Sequence, residues 1–385
     1  MVHLLLAIIY LSFISLGLPD ALLGAAWPMV YPQFGVPVSA SGIIFITISA
    51  GTVVSSLMSD RLTRRFGPGK VTAVSVAMTA AALFGFASCD SFLMLCLWAI
   101  PYGLGPGGVD ASLNNYVALH YESHHMSWLH CMWGIGASVG PYIMGAVLSG
   151  GNPWNMGYVV VGAIQALLVA VLFFSLPLWK GAGHNADAER SNPLKLREIF
   201  AIPGAKEILV AFFCYCALEQ TAGLWAASFL VLDRGMDATA AAGFAGMFYL
   251  GITLGRFVNG FIAMKLSDHT MIRMGLGIIG IGLVLLLIPG GEVTALVGLV
   301  IAGVGCAPIY PCIIHSTPDH FGPENSQALI GVQMASAYMG NILMPPLFGL
   351  LANHISIALY PPYLLAILVL MTFMHEQVLR KTSHT

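Results

Sequence analysis

Three carboxylates stand where the chain is otherwise apolar. Asp110 lies in Gly103-Leu-Gly-Pro-Gly-Gly-Val-Asp110-Ala-Ser-Leu-Asn114-Asn115, inside an apolar run from about Phe92 to Tyr121. Asp20 follows Pro19, and Glu219 precedes Gln220, in similar surroundings. A carboxylate at the centre of a membrane helix costs at least ~2.5–3.5 kcal/mol on insertion scales, so acids in such places usually mark ion coupling or polar-solute binding.

Asn114 lies four residues beyond Asp110 and so shares its helical face. A carboxyl that is desolvated in one state and wetted in another carries a proton. Carboxylate and carbonyl oxygens also suit a hard cation, so Na⁺ is the competing ion. Around Glu219-Gln220 stand Tyr215 and Trp225. An aromatic ring offers its face to sugar C–H groups, while acids and amides take the hydroxyls. Asn115, His130, Trp133, Tyr310, Gln333, Tyr338 and Asn341 are further residues able to line a polar cavity. Trp and Tyr also serve as packing and interface belts, so Trp225 reads either way. His130 either titrates near neutral pH or is a plain hydrogen-bonded histidine.

Membrane helices must position these groups. The chain has 385 residues, 58% hydrophobic and 8% charged, against about 25% charged in soluble domains. It reads as an all-α integral membrane protein. The near-zero net charge of −2 leaves no nucleic-acid footprint. About 20 apolar residues span the hydrocarbon, and twelve such runs occur: about 4–31, 41–59, 69–88, 92–119, 128–150 and 157–179, then 207–231, 238–263, 270–289, 293–316, 325–352 and 355–377. The first run has no basic flank and continues to about Met29, too long for a signal segment. It reads as span 1, with almost no tail before it.

Lys and Arg set the orientation. Arg61, Arg64, Arg65 and Lys70 follow span 2; Lys180, Arg190, Lys195, Arg197 and Lys206 fill the middle loop; Arg256, Lys265 and Arg273 flank the span 8–9 connection; Arg380 and Lys381 end the chain. All fall on one side if both termini share it, and Arg234 alone falls on the other. Both termini and the middle loop are therefore expected in the cytoplasm. The halves also echo each other. Gly103-x-Gly105 in span 4 is answered by Gly303-x-Gly305 in span 10, and Gly136-x4-Pro141-x3-Gly145 by Gly340-x4-Pro345-x3-Gly349. Asp20 then Trp27 in span 1 is answered by Glu219 then Trp225 in span 7. Three echoes in register argue for a duplicated six-helix unit, the build of many secondary transporters. The expected organisation is a bundle over 1–179, a cytoplasmic linker over 180–206, and a second bundle with a short tail over 207–385.

Span 2 ends in Ser56-Leu-Met-Ser-Asp60-Arg61-Leu-Thr-Arg64-Arg65-Phe-Gly67. This resembles the loop 2–3 signature of the major facilitator superfamily, Gly-x-Leu-x-Asp-Arg-x-Gly-Arg-Arg, with Ser56 and Thr63 in place of glycines. An acid at a helix end beside guanidinium groups can latch one conformation, and Asp60, Arg61, Arg64, Arg65 and Arg256 are the expected latch. Within that superfamily the chain is most similar to the fucose permease branch of sugar:proton symporters. The likeness rests on Pro19-Asp20, Gly-Gly-Val-Asp110-x3-Asn114, Leu129-His130-x3-Gly-x-Gly, Glu219 with Trp225, Gly255-Arg256, and Pro308-Ile-Tyr310-Pro311. Asp110 replaces the glutamate of that branch, and Asn115 replaces a proline. The resemblance implies two six-helix bundles, alternating access and uptake. It also implies that Asp110 is a proton-coupling stand-in for that glutamate, and that Asp20 binds substrate hydroxyls or joins in coupling.

Other patterns carry less. Gly103-x-Gly105-x-x-Gly108 matches a dinucleotide fingerprint by letter but follows no strand. The seven cysteines fit no zinc pattern and read as free thiols packed as small hydrophobes. His120 and His124 have the spacing of a helical metal pair but sit in a loop that reads as solvated, so no metal is expected. Gly140-Pro141 resembles a motif of drug:proton antiporters and also suits plain helix packing. The expected function is proton-coupled symport of a monosaccharide or similar small polar solute, in the plasma (inner) membrane, by a monomer with no cofactor beyond H⁺ or Na⁺. A proton-coupled multidrug or metabolite exporter and a non-transporting receptor or scaffold are the alternatives. No nucleophile–base pair or cofactor motif points to an enzyme.

Overall fold

The computed structural model describes all residues except 1, 21, 38–39, 180–193, 237, 289–290 and 383–385. Most of the expected linker thus lies outside the described residues, which contain helices and no strand. In chain order they are α1 (Val2–Gly17), α2 (Leu22–Gln33), α3 (Ser41–Phe66), α4 (Pro68–Ala87), α5 (Phe92–His120), α6 (Ser123–Ser149), α7 (Trp154–Trp179), α8 (Leu196–Ile199), α9 (Ala205–Leu232), α10 (Ala238–Ile262), α11 (Asp268–Leu287), α12 (Glu292–Cys306), α13 (Ile309–His315), α14 (Thr317–Phe321), α15 (Pro323–His354) and α16 (Tyr360–Thr382). Eleven segments of the described residues are long and apolar enough to cross a membrane. The 25-residue α10 is the twelfth span that the sequence predicts.

Prolines place the interruptions. Span 1 is two helices, because Pro19 lacks the N–H that would continue the ladder; a turn with Asp20 N–H on Gly17 O and Leu22 N–H on Pro19 O takes its place. Span 10 breaks in the same way before Pro308, between α12 and α13. The Asp60–Arg65 stretch, expected as a loop, is helical. Arg64 and Arg65 sit in the last turn of α3, where cations suit the helix dipole. Asp60 supports the turn as the i,i+4 partner of Arg64, and Gly67, at φ +79°, stops it.

Glycines explain how the helices approach. A Cβ added at Gly103 of α5 would strike Ile48 O of α3, and one at Gly303 of α12 would strike Phe248 O of α10. A Cβ at Gly136 of α6 would strike Ile14 O of α1, and one at Gly340 of α15 would strike Phe213 O of α9. The paired glycines of the two sequence repeats therefore perform paired tasks, span 4 on span 2 as span 10 on span 8, and span 5 on span 1 as span 11 on span 7. Lipid tails are as apolar as Leu, so close backbone packing must supply the attraction between membrane helices. Gly140 has the same task against Leu18 O, so packing accounts for the glycine of the antiporter-like dipeptide.

Contacts group the chain into two units, Met1–Tyr116 with Leu129–Pro193, and Val117–Trp128 with Leu194–Thr385. Relative to the expected bundles over 1–179 and 207–385, Val117–Trp128, between α5 and α6, goes with the second unit, and the boundary in the linker falls between Pro193 and Leu194. Its side chains make contacts there.

Gly136→Ala and Gly303→Ala are each expected to destabilise by about 1–3 kcal/mol through overpacking. Gly145, with nothing within 4 Å of an added Cβ, is the control, and Gly145→Ala should stay within about 0.5 kcal/mol. Apparent melting temperatures in detergent check both.

Candidate functional site

In the first unit, α5 and α6 build a hydrogen-bonded chain onto Asp110. The carboxyl is 5% exposed. Asn114, one turn on, donates from Nδ2 to Asp110 Oδ1 (2.7 Å) and to the Asp110 carbonyl (2.9 Å). That fixes Asn114 Oδ1 as an acceptor, so His130 Nε2, 3.0 Å away, is the donor. Phe13 of α1 meets the His130 ring edge-on at 5.4 Å. One turn further along α6, Trp133 Nε1–H donates to Asp20 Oδ2 (2.9 Å) at the α1–α2 break. Two acids are thus held by one face of α6, one through Asn114 and one directly. Gly17 and Gly136 let α1 and α6 lie close enough for this. Asn115 is buried beside Asn114.

In the second unit Glu219 of α9 meets Arg256 of α10 at 3.4 Å, with the arginine side chain 5% and the glutamate 21% exposed. Tyr215 Oη–H, one turn before Glu219, donates to the same carboxylate oxygen and lies 3.0 Å from Cys306 O. Tyr310 packs on Phe212 (4.7 Å) and Tyr215 (6.0 Å), with its hydroxyl 3.1 Å from Met334 Sδ. The result is a half-buried carboxylate, a buried cation and a bank of aromatic rings. Guanidinium does not lose its proton in proteins, so Arg256 keeps a fixed positive charge beside Glu219. Asp110 is held instead by a neutral amide.

The family profile described as Major Facilitator Superfamily matches residues 9–296 and 208–379. The chain belongs to the major facilitator superfamily. It is a transporter and not an enzyme. The human sodium-dependent glucose transporter 1 is 22% identical, over 88% of this chain and 72% of that protein. The yeast (Saccharomyces cerevisiae) bypass of stop codon protein 6 is 23% identical over 67% of this chain, which spans 57% of the yeast protein's length. Among solved structures, a variant of the E. coli fucose:proton symporter FucP superposes with a TM-score of 0.76 at 16% identity, covering 96% of this chain and 98% of that one. As a superfamily member the chain is a multi-pass membrane protein that handles a small-molecule substrate in the bilayer.

The structure moves several expected residues. Arg256, expected in the latch, is instead the partner of Glu219. Asp60 pairs with Arg64 at 2.7 Å within α3, and Arg65 lies over the Phe66 ring at 5.2 Å; Arg61 is exposed. Trp225 is turned into packing: its Nε1–H donates to Pro345 O (3.0 Å) and its ring meets Phe348 at 5.4 Å. Gln333 is fully buried and exchanges hydrogen bonds with Thr317 (3.1 and 3.2 Å), which ties α15 to α14. Gln220, Tyr338 and Asn341 are half-buried. His120 closes α5 whereas His124 belongs to α6, so their spacing is not that of one helix. The Glu219–Arg256 pair escapes a reading of spacing because its members are 37 residues apart on different spans. The one signal was that Arg256 is the sole Lys or Arg inside the 238–263 run.

Removing one partner of a buried ion pair leaves an uncompensated charge and costs about 3–5 kcal/mol. Arg256→Met alone should approach that loss. Arg256→Met with Glu219→Gln should lose clearly less than the sum of the single changes, which a double-mutant cycle on apparent melting temperature reads.

Proposed function

We propose that this transporter is a symporter for a monosaccharide or similar small polar solute, driven inward by protons through alternating access. It works in the plasma (inner) membrane as a monomer with both termini in the cytoplasm. Asp110 carries the coupling proton. The observation behind this reading is the donor chain from His130 through Asn114 to a buried carboxyl. Asp110 is held by a neutral amide, whereas Glu219 is held by a fixed cation. Asp20, with Trp133, and the Glu219–Arg256–Tyr310 cluster are the proposed contacts to substrate hydroxyls. Asn114, Asn115, His130, Gln220 and Asn341 complete the polar set. Asp60 with Arg61, Arg64 and Arg65 is proposed to act as the conformational latch.

Sodium is the second reading. It is favoured by the name of the human relative, a sodium-dependent glucose transporter, and by the oxygen donors around Asp110.

Purified protein in proteoliposomes, offered a sugar panel under imposed pH or Na⁺ gradients, separates the two. Proton symport predicts uphill accumulation under ΔpH alone. Asp110→Asn should abolish accumulation while sparing solute exchange at equal pH. Unchanged accumulation in that variant removes Asp110 from coupling, and no sugar flux under any gradient removes the sugar reading.

A further inference from the structure

Val117–Trp128 links α5 to α6 yet belongs to the second unit, and side-chain contacts hold it there. Trp128 covers Gly260, where any added Cβ would strike the indole Nε1, and meets the Phe261 ring edge-on at 5.5 Å. Ser123 Oγ–H donates to Asp268 Oδ1. The His315 ring joins the parts: its Nδ1 lies 2.6 Å from Asp268 Oδ2 and its Nε2 lies 3.0 Å from the Tyr121 carbonyl.

Proton counting makes this arrangement informative. A backbone carbonyl only accepts, so Nε2 carries a hydrogen. A second hydrogen must lie between Nδ1 and Oδ2, because Ser123 already serves the other carboxyl oxygen. Written on nitrogen or on oxygen, it gives the pair one proton more than a neutral imidazole plus a carboxylate. Without it, a ring-nitrogen lone pair faces either the carboxylate or the carbonyl. We propose that His315 and Asp268 form a proton-binding site that locks Val117–Trp128 into the second unit, so that losing the proton frees the segment.

The surroundings suit a proton that exchanges. Asp268 starts α11, His315 ends α13 and Tyr121 follows α5, and all three residues are half-buried at helix ends. α13 packs against α9, α11, α12 and α14. From α14, Asp319 adds a second negative charge acting on His315. On α11, His269 turns toward His320 and His375 (ring centroids 4.9 and 6.3 Å), and Arg273 is held by Glu376 at 2.7 Å. On α9, Glu219 is held by Arg256 and Glu207 by Lys381. Glu292 stands at the opposite end of α12. On the segment itself, Glu122 faces His124 at 3.3 Å, and His120 and His125 complete its titratable groups. On α13 itself, the Cys312 thiol hydrogen-bonds with Asp268 and Ser123.

Hydrogen–deuterium exchange of amides 117–128 in the full-length protein, corrected for intrinsic rates, tests this from about pH 5 to pH 9. Protection should fall with rising pH by up to about tenfold per pH unit, the limit for release of one proton. Asp268→Asn keeps all three hydrogen bonds with neutral His315, since its amide donates to Nδ1 and its carbonyl accepts from Ser123, but holds no dissociable proton. Its protection should not change with pH. The slope should persist in Asp110→Asn, because that acid belongs to the other unit, and this arm separates the lock from the proposed coupling site. Flat protection in the unmodified protein, an undiminished slope in Asp268→Asn, or a slope lost in Asp110→Asn each overturns the proposal.

Discussion

Close approach of helix backbones at glycine is the constraint on which the rest of this molecule depends. Apolar side chains gain nothing from leaving lipid for one another, so the helices must gain from dispersion at short range and from hydrogen bonds between them. Gly103 brings α5 onto α3, and Gly17 and Gly136 bring α1 and α6 together. Those contacts set the depth and rotation of α5 and α6. In turn they decide that His130 reaches Asn114 and that Trp133 reaches Asp20. Gly303 and Gly340 do the same in the second unit, where α10 and α9 carry Arg256 and Glu219.

On this frame two acids, Asp110 and Glu219, take different kinds of partner. They stand on spans that the duplication does not pair: the first unit gives its span 4 acid an amide and, behind it, an imidazole, while the second gives its span 7 acid a guanidinium and a phenol. Burial of an ion is tolerated only with a partner, and the kind of partner limits the chemistry. A fixed cation sits beside Glu219, whereas the partner of Asp110 is a neutral amide. The proposed proton lock at His315 and Asp268 pairs an acid with its partner at helix ends.

Much of the fold was legible in the chain. Apolar runs of spanning length, the Lys/Arg asymmetry and three glycine and acid echoes led to twelve spans in two copies. The helix breaks at Pro19 and Pro308 were not legible, since Pro101, Pro106, Pro141, Pro177, Pro345 and Pro346 stand inside continuous helices. The Asp110–Asn114 contact was legible as well, because four residues is one helical turn. Trp225 and Gln333 misled, since an indole N–H and an amide satisfy a neighbouring helix as readily as a solute. Arg256 misled by lying near a basic loop in sequence while its helix aims it at Glu219.

By itself, then, the sequence determined whatever depends on solvent and on local geometry: a membrane protein, its helical periods and the turn that pairs Asp110 with Asn114. Hydropathy and backbone chemistry act within a few residues, so they are written locally. Tertiary structure alone decided which partner each buried polar group takes. Arg256 for Glu219, His130 for Asn114 and His315 between Asp268 and Tyr121 lie 37, 16 and up to 194 residues apart. Only the docking of helices rotates such groups toward one another, and no spacing in the chain encodes that rotation.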